Sequence, residues 1–222
     1  MLGHEAGRSV TTGNASTFIG HNSGYFITTG SNNTILGRYN GNQGGLDIRT
    51  ANNYIVLSDG QGNVEFTAKD GYSWALPGAT VKTGTGITFP ATQSASTDAN
   101  TLDDYEEGTW TTTTASTTNI SGITLQQARY TKVGRMVTID GYFDVTIASA
   151  NTLTYFSFTI PFPLISTTAG GCGAAVMNNE FAPGSVYRAS SSTALVYILF
   201  KASVGFGSGA NAFYFTYTYQ TT

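Results

Sequence analysis

The clearest pattern along the chain is Met136–Ile147. Val137, Ile139, Phe143, Val145 and Ile147 fall on one face, with Gly141 in their register, and Thr138, Asp140, Tyr142, Asp144 and Thr146 fall on the other. Alternation with period two predicts a β-strand with one buried and one wet face. Residues 153–160 and 212–219 read as further strands. Residues 194–200 are apolar on both faces, which predicts a central or interface strand. Residues 109–114, 129–133, 173–177 and 185–189 bring the set to about eight strands, joined by Gly, Asn, Ser and Pro turns. This predicts an antiparallel β-sandwich, jelly-roll-like, over residues 108–222. The segment is long enough to enclose its own core.

The start of the chain follows a different rule. Residues 13–24 align with residues 30–41 at an offset of 17, and residues 2–7 align with 19–24 at the same offset. Leu2, Ile19 and Leu36 thus share one repeat position, Gly3, Gly20 and Gly37 the next, and Gly7, Gly24 and Gly41 close each unit. Thr-Phe-Ile and Thr-Ile-Leu are strand triplets too short to bury an apolar face alone. Stacked units can share a continuous core. Residues 1–45 are therefore expected to form a β-roll or β-solenoid, completed by other chains. The first unit is entered part-way, as in a fragment of a longer fibre or a start codon within one.

Residues 46–107 lose this beat. Short strands are predicted at 46–50, 54–57 and 63–67, separated by Asn52-Asn53 and by Asp59-Gly60-Gln61-Gly62. Residues 70–100 are rich in Gly, Ala, Ser and Thr, with Pro77 and Pro90, and offer only Tyr72, Trp74 and Phe89 as large anchors. They read as an extended connector, with a boundary at 92–100.

Composition sharpens this picture by exclusion. Charged residues make up 10% of the chain, against roughly 25% in an average domain. With 40% hydrophobic residues the chain is not of the disordered class. A net charge of −3 gives no footprint for nucleic acid. No run is long and apolar enough for a membrane span, and no secretory signal is visible at Met1. The single cysteine, Cys172, forms no internal disulfide. Its setting in Gly-Gly-Cys-Gly-Ala-Ala predicts a small buried strand residue.

The 17-residue units resemble repeats of bacteriophage tail-fibre and related virion proteins, and more loosely the β-roll heads of trimeric autotransporter adhesins. A more specific resemblance lies in Gly86-Ile87-Thr88-Phe89-Pro90-Ala91-Thr92-Gln93 followed by Asp98-Ala99-Asn100-Thr101-Leu102-Asp103-Asp104-Tyr105-Glu106-Glu107-Gly108-Thr109-Trp110. This resembles the segment preceding the C-terminal domain of many phage tail fibres, as does Tyr130-Thr131-Lys132-Val133-Gly134-Arg135 ahead of an alternating strand. Thr112 stands where that family usually has Pro, and no chaperone peptidase domain is seen. The resemblance implies an intertwined homotrimer in the virion tail, assembled in the host cytoplasm. Its implied partners are other tail or baseplate proteins and a bacterial surface glycan or protein.

Candidate chemistry is sparse. The acidic run Asp103, Asp104, Glu106 and Glu107 has two functional readings, a calcium site or a glycosidase pair. The structural reading, an interchain or solvated hinge, is preferred because adjacent carboxylates rarely form such a pair. His4 and His21 share a repeat position with Arg38, a surface-turn pattern without further metal ligands. No nucleophile elbow or phosphate loop is present. No catalytic residue, metal or cofactor is expected. The stripe Phe213, Phe215, Tyr217, Tyr219 is read as core or trimer interface ahead of a carbohydrate-stacking face. Receptor contacts are expected on loops, at Asn178, Asn179, Glu180, Phe181, Tyr187 and Arg188, with residues 204–211 as a second loop. The leading expectation is non-enzymatic receptor binding. The alternatives are a glycan-degrading tailspike and a purely structural fibre or collar protein.

Overall fold

The structure is a computed structural model that describes residues 1–70, 72–92, 101–149, 152–166, 171–177, 183–188, 193–201 and 210–221. Among these residues the chain is all-β, with no helix. It divides into two compact units, Met1–Thr97 and Asp98–Thr222.

The first unit contains β1 (Thr17–Ile19), β2 (Thr34–Leu36), β3 (Asn42–Gln43), β4 (Leu46–Asp47), β5 (Tyr54–Ser58), β6 (Val64–Lys69), β7 (Trp74–Ala75) and β8 (Ile87–Thr88). One sheet runs in the order β1-β2-β5-β6-β7-β8. Its first three strands are parallel, with Phe18 beside Ile35 and Ile35 beside Val56. The chain thus returns to register after 17 residues (Thr17 to Thr34) and then after 21 (Thr34 to Ile55). The longer step is taken up by the β3–β4 hairpin, whose base is closed by the Ile48 N–H donating to Gly41 O at 2.9 Å.

Burial follows from alternation. Phe18, Ile35 and Val56 point inward and join Ile27, Tyr39 and Ile48 in a closed core. The same rung position takes positive φ each time, at Ala15, Asn32 and Asn53. Asn tolerates that conformation better than other non-glycine residues. Glycine is required at position 20, where φ is 133° and a Cβ would run into the Gly37 carbonyl of the next rung. Within residues 46–107, expected as a short-strand shaft and connector, β5–β8 continue the same sheet.

The second unit contains β9 (Tyr105–Thr109), β10 (Thr114–Thr118), β11 (Ile120–Val133), β12 (Met136–Ile147), β13 (Leu153–Thr159), β14 (Gly171–Met177), β15 (Pro183–Arg188), β16 (Leu195–Lys201) and β17 (Ala210–Gln220). They form one sheet, β10-β13-β16-β15-β14-β17-β12-β11-β9, in which every neighbouring pair is antiparallel. β14, β15 and β16 are successive neighbours and β17 returns beside β14, the Greek-key order.

This sheet curls onto itself. β13 and β12 stand five places apart in the order, about 24 Å if the sheet were flat. Yet the Phe143 ring lies 5.0 Å from Phe156 and 5.2 Å from Phe158. The two halves therefore pack face to face as a β-sandwich, around Val137, Ile139, Phe143, Val145, Val196, Ile198, Phe213 and Phe215. β12 matches its predicted alternation throughout.

Three expectations are corrected. The strand predicted at 109–114 is two strands, because Trp110 Nε1 and Thr112 Oγ1 both donate to Thr159 O, at 3.0 and 2.6 Å, and pin the intervening turn. β11 begins at Ile120, well before the predicted 129. Cys172 is exposed. Gly171, Gly173 and Ala175 take the inner face, where a Cβ at Gly171 would strike the Tyr217 ring, so Cys172 faces outward.

Candidate functional site

Of the receptor candidates among the described residues, Tyr187 lies on the outer face of the second unit. β15 and β16 place Tyr187 opposite Tyr197, and β13 brings Tyr155 diagonally beside it. Tyr187 and Tyr197 stack at 5.5 Å and 19°, while Tyr155 meets Tyr197 edge-on at 6.0 Å. Their strand neighbours Phe156, Val186, Val196 and Ile198 are buried on the opposite face, so alternation turns all three tyrosines outward. Tyr187 is 40% exposed. Partial burial, with Tyr197 and Tyr155 adding, pushes its phenol above the usual tyrosine range and keeps it a neutral donor. Such a cluster offers ring faces for stacking and hydroxyls for hydrogen bonding.

Sequence reasoning named Tyr187 and missed Tyr155 and Tyr197, which it had placed within strands but not beside one another. The structure separates Tyr187 from Arg188, which alternates toward the other face and acts electrostatically on Tyr217. Asn178, Asn179, Glu180 and Phe181 lie outside the described residues, as do 204–209 of the second loop; Asn211 is buried in β17.

The other sequence candidates have structural placements. Phe213, Phe215, Tyr217 and Tyr219 are all buried in the core, so the stripe has no stacking face. In the acidic run, Asp104 is buried against Lys132, whose Nζ also lies 3.7 Å from Glu106 Oε1. Burial holds that ammonium below the usual lysine range, with Asp103 pulling the other way. Glu107 accepts from the Tyr105 hydroxyl at 3.2 Å. Glu106 and Glu107 lie in β9, and Asp104, just ahead of it, is buried in an ion pair, so the run is not solvated throughout. His4 and His21 stack at 5.3 Å and 11° on successive rungs. Among the described residues no three His, Cys, Asp or Glu side chains group to hold a metal.

A last surface belongs to the first unit. Leu2, Ile19, Leu36 and Leu57 stand side by side across four rungs, and Ile55, Trp74 and Ile87 form a second row on the same face. All seven are exposed, from 39% at Leu57 to 70% at Leu2. Phe66 stacks on Trp74 at 4.9 Å and joins the two rows.

No protein-family model matches the chain, and no curated protein matches it.

Proposed function

We propose that this chain is the distal segment of a phage tail fibre, a homotrimer that binds a bacterial surface receptor without altering it. In this reading the first unit is a β-roll or solenoid shaft, and the sandwich is the receptor-binding head. The observation that carries it is the outer face of the six-stranded sheet, with its seven exposed large apolar side chains. Their exposed area is on the order of 600 Å², at the upper end of what a monomer leaves in its largest patch. It approaches the ~800 Å² that each partner contributes to a stable interface.

Copies of this chain suit that face. The rungs repeat one stripe at fixed spacing, so a neighbouring copy meets the same pattern at each level. Charged residues are only 10% of the chain, which leaves little repulsion to oppose association. Three chains would present three tyrosine clusters, and weak contacts gain strength when made together. The test is adsorption of the purified chain to a panel of bacteria, with its mass measured in the same preparation. Trimers that adsorb to a particular host support the reading. A monomer, or a trimer that adsorbs to no bacterium, contradicts it.

A further inference from the structure

A groove of about 610 Å³ opens on the first unit, on residues drawn from successive rungs. Its one apolar platform is the ring of Phe26, 45% exposed. Tyr25 meets that ring edge-on at 4.8 Å and 85°, and the Arg8 guanidinium lies over Tyr25 at 5.7 Å. Backbone bonds hold the platform: the Phe26 N–H donates to Asn40 O at 2.8 Å, and the Tyr25 N–H to Asn22 O at 3.0 Å. The site is thus built on stacked rungs and does not depend on a free loop.

Polar groups surround the platform. Asn40 Oδ1 accepts from the Asn42 N–H at 2.9 Å, which leaves its amide hydrogens for a ligand. Asn22 also lines the groove; its side-chain oxygen is buried without a hydrogen-bond partner among the described residues and is closed to a ligand, so its amide N–H groups are what it can offer. Gln61 contributes a third amide. Two charges also face the groove. Glu5 is engaged by Arg8 in an ion pair. Arg38, whose N–H donates to Asp59 O, forms no ion pair among the described residues, so its guanidinium is the uncompensated charge of the groove.

We propose that this groove binds an acidic saccharide, with a pyranose ring on Phe26, its hydroxyls on the amides of Asn22, Asn40 and Gln61, and its carboxylate on Arg38. An aromatic ring meets the C–H face of a sugar, amides match its hydroxyls in both donor and acceptor roles, and a guanidinium fork fits a carboxylate. Amides on three rungs, each ~4.8 Å from the next, span more than one sugar ring, so an oligosaccharide fits better than a monosaccharide. The groove adds a ligand site to the attachment reading but stands on its own geometry.

The experiment is calorimetric titration of the full chain with an oligogalacturonate and with a neutral malto-oligosaccharide of equal length, the oligomer mass being recorded in the same samples. The parent chain binds the acidic sugar in preference to the neutral one. Phe26→Ala weakens binding of the acidic sugar by roughly ten-fold. Arg38→Gln abolishes the preference. Both side chains are at the surface, and thermal melting of each variant verifies that it is folded. Failure of the parent to bind the acidic sugar, or Phe26→Ala binding as tightly as the parent, overturns the proposal. A parent chain that binds no acidic sugar while its oligomer is intact overturns this site alone and leaves the fibre reading standing.

Discussion

Lys132 holds its ammonium against the carboxylate of Asp104, and both side chains are more than nine-tenths buried. β11 contributes the cation and the segment entering β9 the anion. The Gly134 N–H, in the β11–β12 turn, donates to Asp104 O at 2.9 Å, so one residue ties the edge strand to the hairpin by both its side chain and its backbone. Removing one partner strands a buried charge, which costs about 3–5 kcal/mol. Lys132→Met and Asp104→Leu should each lower the free energy of unfolding, read from denaturant titration, by that amount, and the double variant should recover most of the loss. Additive losses would show that the two do not act as a pair.

Alkali should destabilise the fold through its buried tyrosines. Burial holds the phenols of Tyr39 and Tyr219 well above the usual tyrosine range, with Asp47 adding at Tyr39 and Tyr217 adding at Tyr219. Tyr39 also donates to Leu46 O at 2.7 Å. In the unfolded chain both ionise near pH ~10. The folded state then binds more protons than the unfolded one, so this stability is complete below ~10 and falls as pH rises further. Denaturant titrations at rising pH measure the slope, and phenolate absorbance counts the groups that ionise before unfolding. Ionisation of every tyrosine in the folded protein would contradict the burial.

Gly20→Ala should disturb the first unit more than its size implies. The added methyl meets the Gly37 carbonyl at a φ that side chains rarely adopt, a cost of at least ~1–3 kcal/mol. Gly86, where φ is 143° and a Cβ would meet nothing, provides the control for φ alone. Thermal melting of both variants should rank Gly20→Ala well below Gly86→Ala.

Tyr187→Ala tests the receptor surface with little structural risk. The side chain is exposed and packs on Tyr197, so stability should change by no more than ~1 kcal/mol. Adsorption to the host should fall sharply, and further in Tyr187→Ala with Tyr197→Ala. Undiminished adsorption would remove the cluster from the binding surface.

How much of this was readable in the sequence depended on whether the cue was local. The repeat was legible because Leu2, Ile19 and Leu36 recur at one spacing, and the structure pairs them at that spacing. It could not be followed further because the β3–β4 hairpin lengthens the next step, although Ile55, Val56 and Leu57 carry the same apolar triplet. β7 and β8 are two-residue strands with no period to detect. The first half of β11 is hidden by a register shift between Leu125 and Gln127, which breaks its alternation. β12 was fully legible because its two faces differ cleanly. Cys172 was misread because its flanking glycines were taken as general crowding, when they mark the inner face that Tyr217 fills. The tyrosine cluster depends on which strands are neighbours, and no local pattern encodes the order β13-β16-β15.

The central claim is that copies of this chain cover the apolar face of the first sheet. Light scattering of the purified chain, beside a variant carrying Ile19→Lys and Leu36→Lys, tests it most directly. Both positions are exposed and outside the core, so the variant should remain folded. The account predicts a trimer for the parent and a folded monomer for the variant. A parent chain that is a stable folded monomer, or a variant that remains a trimer, would contradict it.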